Sequence, residues 1–442
     1  MMIKLDKNYY PMYLWQRDFL EGLSDSSKPF ILAIERGEGA VARYSTRLGA
    51  DYEKNLEYAE RLVKFMLWSY GGYKFYVYGD KAVCDGLRAI YSPSGERAFD
   101  YNFMTDVYER ALEFVAVENV EDVPADCDHG IKASAENTGY RIGFDAGGSD
   151  RKVTACIDGK VVFEKEVVWF PKLNSDPEYH KAGIKHSIDL ALDALGGRVD
   201  AIGVSTAGIV VDGEMRTASL FRLVPKEIYK KEIGPIYLNL AKDYNCPVKV
   251  ANDGDVASLA GAYSAGQGRV LGIAMGTSLA AGYVDKDNKI LGYLNELAFV
   301  PVDANRNSAI DEWSGDTGVG VMYHSQDAVI KLAPEAGIEL DAKLSPAEKL
   351  KIVQKLANEE DERALAIFEK MGEYFGYTLL WFNEFYDIEK SIFLGRVASG
   401  KGGEVLLEKA NSILKKERSN IEIMLPDEMS RRLGQSFTAT LL

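Results

Sequence analysis

A glycine-containing turn between two apolar strands constrains the fold of this chain more than any other feature. One predicted strand runs into Asp145-Ala-Gly-Gly-Ser149, and a second strand follows, closed by Asp158-Gly159. Glycines let the backbone turn tightly and present its N–H groups, and a carboxylate beside such a turn can hold Mg²⁺ through water. The pattern predicts a β-hairpin that grips phosphate, although a plain hairpin turn has the same composition.

The composition is that of an ordinary globular protein. The chain has 442 residues, 47% of them hydrophobic and 27% charged, which is enough for two or three domains. The formal net charge of −15 argues against non-specific binding to nucleic acid or to an anionic membrane. We expect a cytoplasmic protein, because the N-terminus is polar, no apolar run is long enough to span a bilayer, and the four cysteines are scattered.

Strands and helices alternate along most of the chain, which predicts an α/β fold with helix-covered sheets. We expect an N-terminal α/β domain over 1–130, ending in an acidic, Pro-containing linker at 118–130, and two further units over 131–262 and 263–442. The predicted elements after residue 140 are strands over 160–168, 201–204, 248–251, 270–275, 279–285 and 390–394, and helices over 180–195, 226–244, 256–262, 345–357, 362–386 and 403–414.

Three further features follow the Asp145 turn in a fixed order. Asn252-Asp253 stands where a strand feeds a helix, Gly276-Thr277-Ser278 forms a second hairpin turn, and a strand at 391–394 enters a Gly-rich helix start. Two such hairpins can hold a polyphosphate from both sides, and a strand-to-helix Gly-rich turn admits a nucleoside. A carboxylate at a strand end near the phosphate can act as a general base on an alcohol.

This order resembles the ROK family of sugar kinases and repressors, within the actin-like ATPase superfamily. Asp145-Ala-Gly-Gly-Ser149 is similar to the family's D-x-G-G-T, Gly203-Val-Ser-Thr-Ala-Gly-Ile-Val to G-x-x-x-x-G-x-V, and Cys246-Pro-Val-Lys-Val-Ala-Asn-Asp253 to P-V-x-V-x-N-D. Gly276-Thr277 is similar to the start of the second phosphate loop, and 388–395 to the adenosine segment. The resemblance implies a two-lobed actin-like (ribonuclease H-like) fold from about residue 140 onward, preceded by the additional N-terminal domain.

The resemblance also implies a role for each matching residue. Asp253 would be the catalytic base that takes the proton of a sugar hydroxyl, and Asp145 would orient Mg²⁺ through water. The implied phosphate-binding residues are Gly147, Gly148, Ser149, Gly276, Thr277 and Ser278; the implied nucleoside-binding residues are Gly395, Gly400 and Gly402; the implied sugar-binding residues are Asn252, Glu296 and Ser219. ATP and Mg²⁺ would be the cofactors, and family analogy implies a homodimer.

Several residues depart from the family pattern. Phe299 stands where the family has a zinc-binding histidine, and 300–322 contains neither Cys nor His, so no structural zinc is expected. Asp150 replaces a lysine after the first hairpin, Ser278 and Ala280 replace glycines in the second, and Arg396 replaces a glycine of the adenosine loop. The leading hypothesis is an ATP-dependent kinase of a small sugar or sugar derivative. The alternative is a sugar-sensing or regulatory protein with weak or no kinase activity, and a structural partner in an assembly is a third possibility.

Two site residues also admit purely structural interpretations. Asn252, Asp253 and Asp255 all suit the N-cap of the following helix. For Glu296 a solvated surface carboxylate is an equal alternative to a substrate contact, since the histidine that accompanies it in the family is absent.

The N-terminal region reads as strand, Gly-x-Gly turn, strand, helix, strand and helix. Glu35 and Gly37 fall where Asp145 and Gly147 fall in the later hairpin. One hypothesis is a shrunken second copy of an actin-like lobe that lacks a counterpart of Asn252-Asp253; the other is an unrelated α/β domain. The duplication requires that the strand at 31–34 form a hairpin with the strand at 41–45.

Overall fold

The N-terminal region forms a four-stranded sheet of its own. The computed structural model describes residues 4–134, 137–425 and 428–442. The elements of this region are α1 (Met12–Glu21), β1 (Lys28–Glu35), β2 (Val41–Leu48), α2 (Tyr52–Ser69), β3 (Lys74–Tyr78), α3 (Lys81–Ile90), α4 (Ala98–Tyr108) and β4 (Glu113–Val117). The sheet order is β2-β1-β3-β4.

A second sheet of five strands follows, which we call the first lobe. Its elements, together with the two-residue strand that precedes them, are β5 (Ile131–Lys132), β6 (Tyr140–Ala146), β7 (Asp150–Ile157), β8 (Lys160–Val168), α5 (Pro177–Ala194), β9 (Ala201–Thr206), β10 (Ile209–Val211), β11 (Glu214–Thr217), α6 (Lys226–Ile228), α7 (Leu238–Tyr244), β12 (Val248–Asn252) and α8 (Asp253–Ala265). The strand order is β12-β9-β6-β7-β8, and β10 pairs only with β11. β6, β7 and β8 form antiparallel hairpins, whereas β9 and β12 run parallel to β6.

The third sheet, in what we call the second lobe, repeats this arrangement. Its elements are β13 (Val270–Met275), β14 (Leu279–Val284), β15 (Lys289–Ile290), α9 (Gln326–Leu332), α10 (Pro346–Asn358), α11 (Glu362–Phe382), β16 (Lys390–Leu394), α12 (Gly400–Lys416), β17 (Glu422–Met424) and α13 (Glu428–Ala439). The order is β17-β16-β13-β14-β15-β5, with β13, β14 and β15 antiparallel and β16 and β17 parallel to β13. Two sheets of matching order are what the predicted two-lobed α/β fold requires.

Two helices cross between the lobes. α8 follows a strand of the first lobe but packs on β13 and β14 of the second, whereas α13 follows the second-lobe strands and packs on β6 and β9. Glycines permit this close approach: a Cβ at Gly143 would lie 1.8 Å from the Ser436 carbonyl oxygen, and one at Gly203 would lie 1.8 Å from that of Ala439. β5, α8 and α13 therefore each pair with or pack on a sheet on the other side of the predicted boundary at 263.

The N-terminal domain and the second lobe share one hydrophobic core. Buried residues from Leu5 to Phe114 and from Leu271 to Ile421 form one continuous cluster, while the first lobe has a core of its own around Phe144, Val204 and Tyr237. α11 lies at the centre of the shared core, because both the N-terminal domain and the second lobe pack against it. No helix in the described part of the chain is long and apolar enough to cross a membrane.

The prediction of one continuous helix over 226–244 is wrong. α6 has three residues and leads into a π-turn at Tyr229–Ile233, and α7 begins only at Leu238. Gly234-Pro235 lies between them, and Pro235 has no N–H to continue the helical hydrogen bonds. α11 likewise ends at Phe382, four residues before the predicted end at 386.

The N-terminal hairpin exists, but the sheet around it differs from the lobes. β1 pairs with β2 in the antiparallel hairpin that the duplication hypothesis requires. However, β3 runs antiparallel to β1, whereas β9 and β16 run parallel to β6 and β13, the first strands of the two lobes. The N-terminal sheet therefore does not repeat the strand directions of an actin-like lobe, which favours an unrelated α/β domain.

Candidate functional site

The first hairpin turn joins β6 to β7. Asp145 is buried near the end of β6, next to Ser205 on β9, whose hydroxyl hydrogen-bonds to it. The Gly147 carbonyl accepts a hydrogen bond from Trp169 Nε1 at 2.8 Å, and exposed Ser149 donates its hydroxyl to Asp150 at 2.9 Å. Gly148 is exposed, and the Lys172 Nζ lies 3.6 Å from the point where a Cβ on Gly148 would stand. A cation thus reaches this turn from outside the hairpin.

The second hairpin turn joins β13 to β14. The Gly276 N–H donates to the Ser278 carbonyl at 2.9 Å, which closes the turn, and Thr277 and Ser278 are exposed. Arg396 Nη2 donates to the Thr277 hydroxyl at 3.0 Å. A second cation therefore reaches the second hairpin, in this case from the segment that follows β16.

Asn252 and Asp253 lie where β12 passes into α8, and they have different roles there. Asn252 is the N-cap: its Oδ1 accepts from the Gly254 N–H at 2.8 Å, and its Nδ2 donates to the Gly208 carbonyl at 2.8 Å. Asp253 is the first helical residue, is half-buried, and accepts from the Gly254 N–H at 3.0 Å. Because Asn252 caps the helix, the capping interpretation of Asp253 is not needed to explain its presence.

Three further carboxyl groups surround Asp253. Burial raises the pKa of Asp253, of Asp145 (to about 6), of Asp255 (to about 7) and of Glu296 (to about 7). The charge of Asp253 is a second cause that raises the pKa of each of the other three. Asp145, Asp255 and Glu296 therefore lie near enough to Asp253 to interact with its charge.

The remaining predicted sugar contact, Ser219, is exposed at the start of a short 3₁₀-helix, Ser219–Phe221. Glu296 is half-buried rather than solvated, and its N–H donates to the Trp68 carbonyl of the N-terminal domain at 3.0 Å. Of these two residues, Glu296 is the one on which the charge of Asp253 acts.

Two of the three predicted nucleoside-site glycines line one cavity. Gly395 has φ +98° and lies so close to β13 that a Cβ would stand 2.2 Å from the Met275 carbonyl oxygen. Gly395 and Gly400 border a cavity of about 530 Å³, whose other walls include Gly261 of α8 and Gln435 of α13. Gly402 instead packs against the Phe368 ring, where a Cβ would come within 2.6 Å, so its role is in the core.

Comparisons with known proteins agree with this geometry. The sequence profile of the ROK family matches residues 141–429, well over half of the chain. The chain belongs to the ROK family. Among curated proteins no sequence match is found.

Solved ROK structures share the fold. A ROK hexokinase from Thermus thermophilus is similar with a TM-score of 0.53 and 20% identity, over 68% of this chain and 98% of the hexokinase. A ROK family transcriptional regulator, a homolog of the E. coli MLC protein, is similar with a TM-score of 0.52 and 16% identity, over 68% of this chain and 78% of the regulator. At these identities the likeness supports the fold, and the family contains both an enzyme and a regulator.

The segment around Phe299 and 300–322, where the family resemblance implies zinc ligands in ROK kinases, has a different environment in this chain. Phe299 packs against Trp68 of α2 and against Trp313, with ring centroids 4.7 Å and 4.6 Å apart. Asp316 forms ion pairs with Arg97 at 2.7 Å and with Lys64 at 3.4 Å, both from the N-terminal domain. Among the residues that the structure describes, no group of three or more His, Cys, Asp and Glu side chains could hold a metal ion.

Sequence reasoning missed two cations beside the ROK hairpins. Arg396 was visible as a departure from the family's glycine, but nothing in the sequence indicated that its side chain reaches Thr277. Lys172 lies 24 residues after Gly148 and gave no signal, because only the fold brings the segment after β8 back to the turn.

Proposed function

We propose that this ROK-family chain is an ATP- and Mg²⁺-dependent kinase that phosphorylates a hydroxyl of a small sugar or sugar derivative. The observation that carries the proposal is the placement of Asp253: half-buried, released from capping by Asn252, and close to Asp145. A burial-raised pKa makes Asp253 a stronger base than an exposed aspartate.

In the proposed reaction, Asp253 takes the proton of the sugar hydroxyl as its oxygen forms a bond to the γ-phosphorus of ATP. The bond between that phosphorus and the β,γ-bridging oxygen breaks, and ADP leaves. Phosphoryl transfer depends on positioning and on charge stabilisation, which the backbone N–H groups at Gly147 and Gly148 and the hydroxyls of Ser149, Thr277 and Ser278 would provide. The Gly276 N–H is already used to close its own turn. Lys172 and Arg396 would add positive charge at the two hairpins.

The donor set fits magnesium as ROK kinases would use it. Mg²⁺ keeps several waters and is usually held by one or two carboxylates together with substrate phosphates. Asp145 is the carboxylate that would hold the ion through water, and the ion would supply neutralisation of phosphate charge. Burial and the charge of Asp253 raise the pKa of Asp145, so a cation beside it would stabilise its ionised form, which suits this role. The nucleoside would occupy the cavity beside Gly395 and Gly400.

The test is an ADP-release assay over monosaccharides, amino sugars and N-acetyl sugars, with Asp253→Asn beside the unaltered protein. We expect Asp253→Asn to lower turnover about 10²–10⁴-fold, the usual contribution of a general base. Asp193→Asn, which changes an exposed carboxylate on α5, is the matched control and should have no effect. Turnover that survives Asp253→Asn would contradict the mechanism.

One observation favours the regulatory alternative. The Thr277 hydroxyl and both polar atoms of the Asn252 amide already have protein partners. A regulator would show no turnover on any sugar of the panel. Absence of a nucleotide-induced thermal shift would then separate it from a kinase whose sugar is missing from the panel.

A further inference from the structure

A second cavity lies where the N-terminal domain and the two lobes meet. Its volume is about 300 Å³, and each part contributes to its wall: Arg36 and Gly37 after β1, Asp212 after β10, and Tyr293 after β15. Its lining includes none of Asp253, Glu296 or the two phosphate hairpins. Of the residues predicted to bind the sugar, Asn252 alone borders this cavity, so the cavity adjoins the proposed catalytic cleft without containing its base or its phosphate-binding turns.

Arg36 is the central feature of this cavity. Arg36 is only 3% exposed, and its guanidinium lies 4.8 Å from the centroid of the Tyr293 ring. Nη1 donates to the carbonyls of Leu291 at 3.2 Å and Gly292 at 3.1 Å, but Nε has no hydrogen-bond partner among the described atoms. Carbonyl oxygens solvate a guanidinium without neutralising it, so the buried charge still favours an anion.

Other polar groups converge on the same space. The Tyr108 hydroxyl borders the cavity, and the charges of Arg36 and Asp212 both act on it. Lys249 on β12 adds a second cation, and Asp255 contributes a carboxyl group from α8. A cavity at a junction between domains with several converging polar groups is typical of a ligand site.

We propose that this cavity binds a small hydroxylated metabolite with one anionic group, either a carboxylate or a phosphate. The anionic group pairs with Arg36, and hydroxyl groups donate to the carboxyl groups of Asp212 and Asp255, which border the same cavity. The volume corresponds to about ten water molecules, which limits the ligand to the size of a small sugar acid or sugar phosphate. Asn252 and Asp255 border the cavity and flank Asp253 in sequence, so an occupant contacts the start of the helix that carries the proposed base.

The test measures binding by calorimetry, without nucleotide, using inorganic phosphate, gluconate and glucose 6-phosphate as probes. The protein carries Asp253→Asn, so that binding does not depend on the proposed catalysis, and the series is repeated with Arg36→Met, Arg36→Lys and Arg43→Met. Arg43 lies on β2 and does not line the cavity, so its variant is the matched control. Comparing gluconate with the two phosphates separates a carboxylate ligand from a phosphate ligand.

We expect at least one probe to bind, and Arg36→Met to weaken it about 10- to 100-fold, the value of a hydrogen bond to a charged group. Arg36→Lys keeps the charge and should lose less affinity. Equal affinity in Arg36→Met and the control would overturn the proposal, as would the absence of any binding tighter than about 10 mM. Unfolding curves of the variants show whether a loss of binding reflects a loss of folding; if Arg36→Met does not fold, Arg36→Lys decides.

Discussion

The two lobes share a strand order but differ in what their cores contain. The first lobe encloses its own core, whereas the second lobe continues into the N-terminal domain. Phe65 of α2 stacks on Phe385 at a centroid distance of 3.9 Å and meets Trp381 edge-on at 5.3 Å. The same α/β unit is thus self-contained in one lobe and completed by an additional domain in the other.

The N-terminal domain contacts the first lobe through fewer buried residues: Ile209 and Val211 of β10 join the shared cluster, and ion pairs form the rest of the described contact. Exposed or half-exposed ion pairs join α4 to the first lobe: Arg216 with Glu109 at 2.9 Å, Lys226 with Asp106 at 2.9 Å, and Lys230 with Glu109 at 2.8 Å. Such pairs contribute about 0–1 kcal/mol each, far less than a shared core. The N-terminal domain is therefore a structural part of the second lobe.

Among the variants that test this difference between the lobes, Phe65→Ala has the largest expected effect on stability. Truncation of a buried phenylalanine costs about 3–5 kcal/mol of unfolding free energy. Because the core is shared, we expect hydrogen exchange to accelerate together in peptides of the N-terminal domain and in those of α11, measured by mass spectrometry.

The matched control is Phe144→Ala in the separate core of the first lobe. It should accelerate exchange in β6 and β9 while α2 and α11 keep their protection. If Phe65→Ala opens the N-terminal domain but leaves α11 protected, the shared core is not one cooperative unit.

The elements of the two lobes could largely be predicted from sequence, because local pattern determines them. The strands at Lys160–Val168 and Lys390–Leu394 have their predicted ends, since each is a continuous strand-like run between turn signals. Asp145 near the end of β6 and Asn252 at the end of β12 lie at one edge of the sheet, because parallel strands of one sheet end at one edge. The break at Gly234-Pro235 had a visible cause in the proline.

The rest depended on contacts between distant parts of the chain. The direction of β3 relative to β1 is not encoded in either strand, so the duplication hypothesis could not be tested before the fold was known. The contact between Phe65 and Phe385 joins residues 320 positions apart, and no periodicity announces it. The choice of Asn252 as N-cap over its acidic neighbours likewise depends on Gly208, the acceptor that its amide finds in another loop.

Asp255→Asn tests the contact between the lobes and has the next largest effect. The Asp255 Oδ1 accepts from the Tyr283 N–H at 3.0 Å and from Asn295 Nδ2 at 2.8 Å, both in the second lobe. Burial raises the pKa of Asp255 to about 7, so the folded state favours the protonated acid. Its contribution to stability is therefore fully present below its ordinary pKa of about 4 and is lost as pH rises toward 7.

The unfolding free energy of the unaltered protein should fall over this pH range by as much as about 4 kcal/mol on account of Asp255. Asparagine keeps an acceptor oxygen and has no charge, so the variant should lose that part of the pH dependence. Urea unfolding at several pH values measures the slope. The control is Asp193→Asn, which should leave the slope unchanged. An Asp255→Asn slope equal to that of the control would show that the pKa of Asp255 keeps its ordinary value in the folded state.

Arg396→Gly has the smallest expected effect and tests what the second hairpin does with its cation. Arg396 donates to Thr277 from the position where a glycine is usual in the family. It is not among the residues that border the cavity beside Gly395 and Gly400. If the guanidinium binds donor phosphate, the glycine variant should raise the KM for ATP about tenfold, or about 1.4 kcal/mol, with little change in kcat. Steady-state kinetics over a range of ATP concentrations measures both constants, and a nucleotide-induced thermal shift reports binding where turnover is absent.

Arg396→Lys is the companion variant, because it keeps a positive charge but lacks the planar fork that binds phosphate at two points. A phosphate ligand predicts an intermediate KM for the lysine variant. A guanidinium that instead obstructs the nucleotide predicts the opposite order, with the glycine variant binding ATP more tightly than the unaltered protein. In that outcome the second hairpin would keep its phosphate-binding fold while the Arg396 side chain excluded phosphate from it. The second lobe would then be a regulated or closed counterpart of the first.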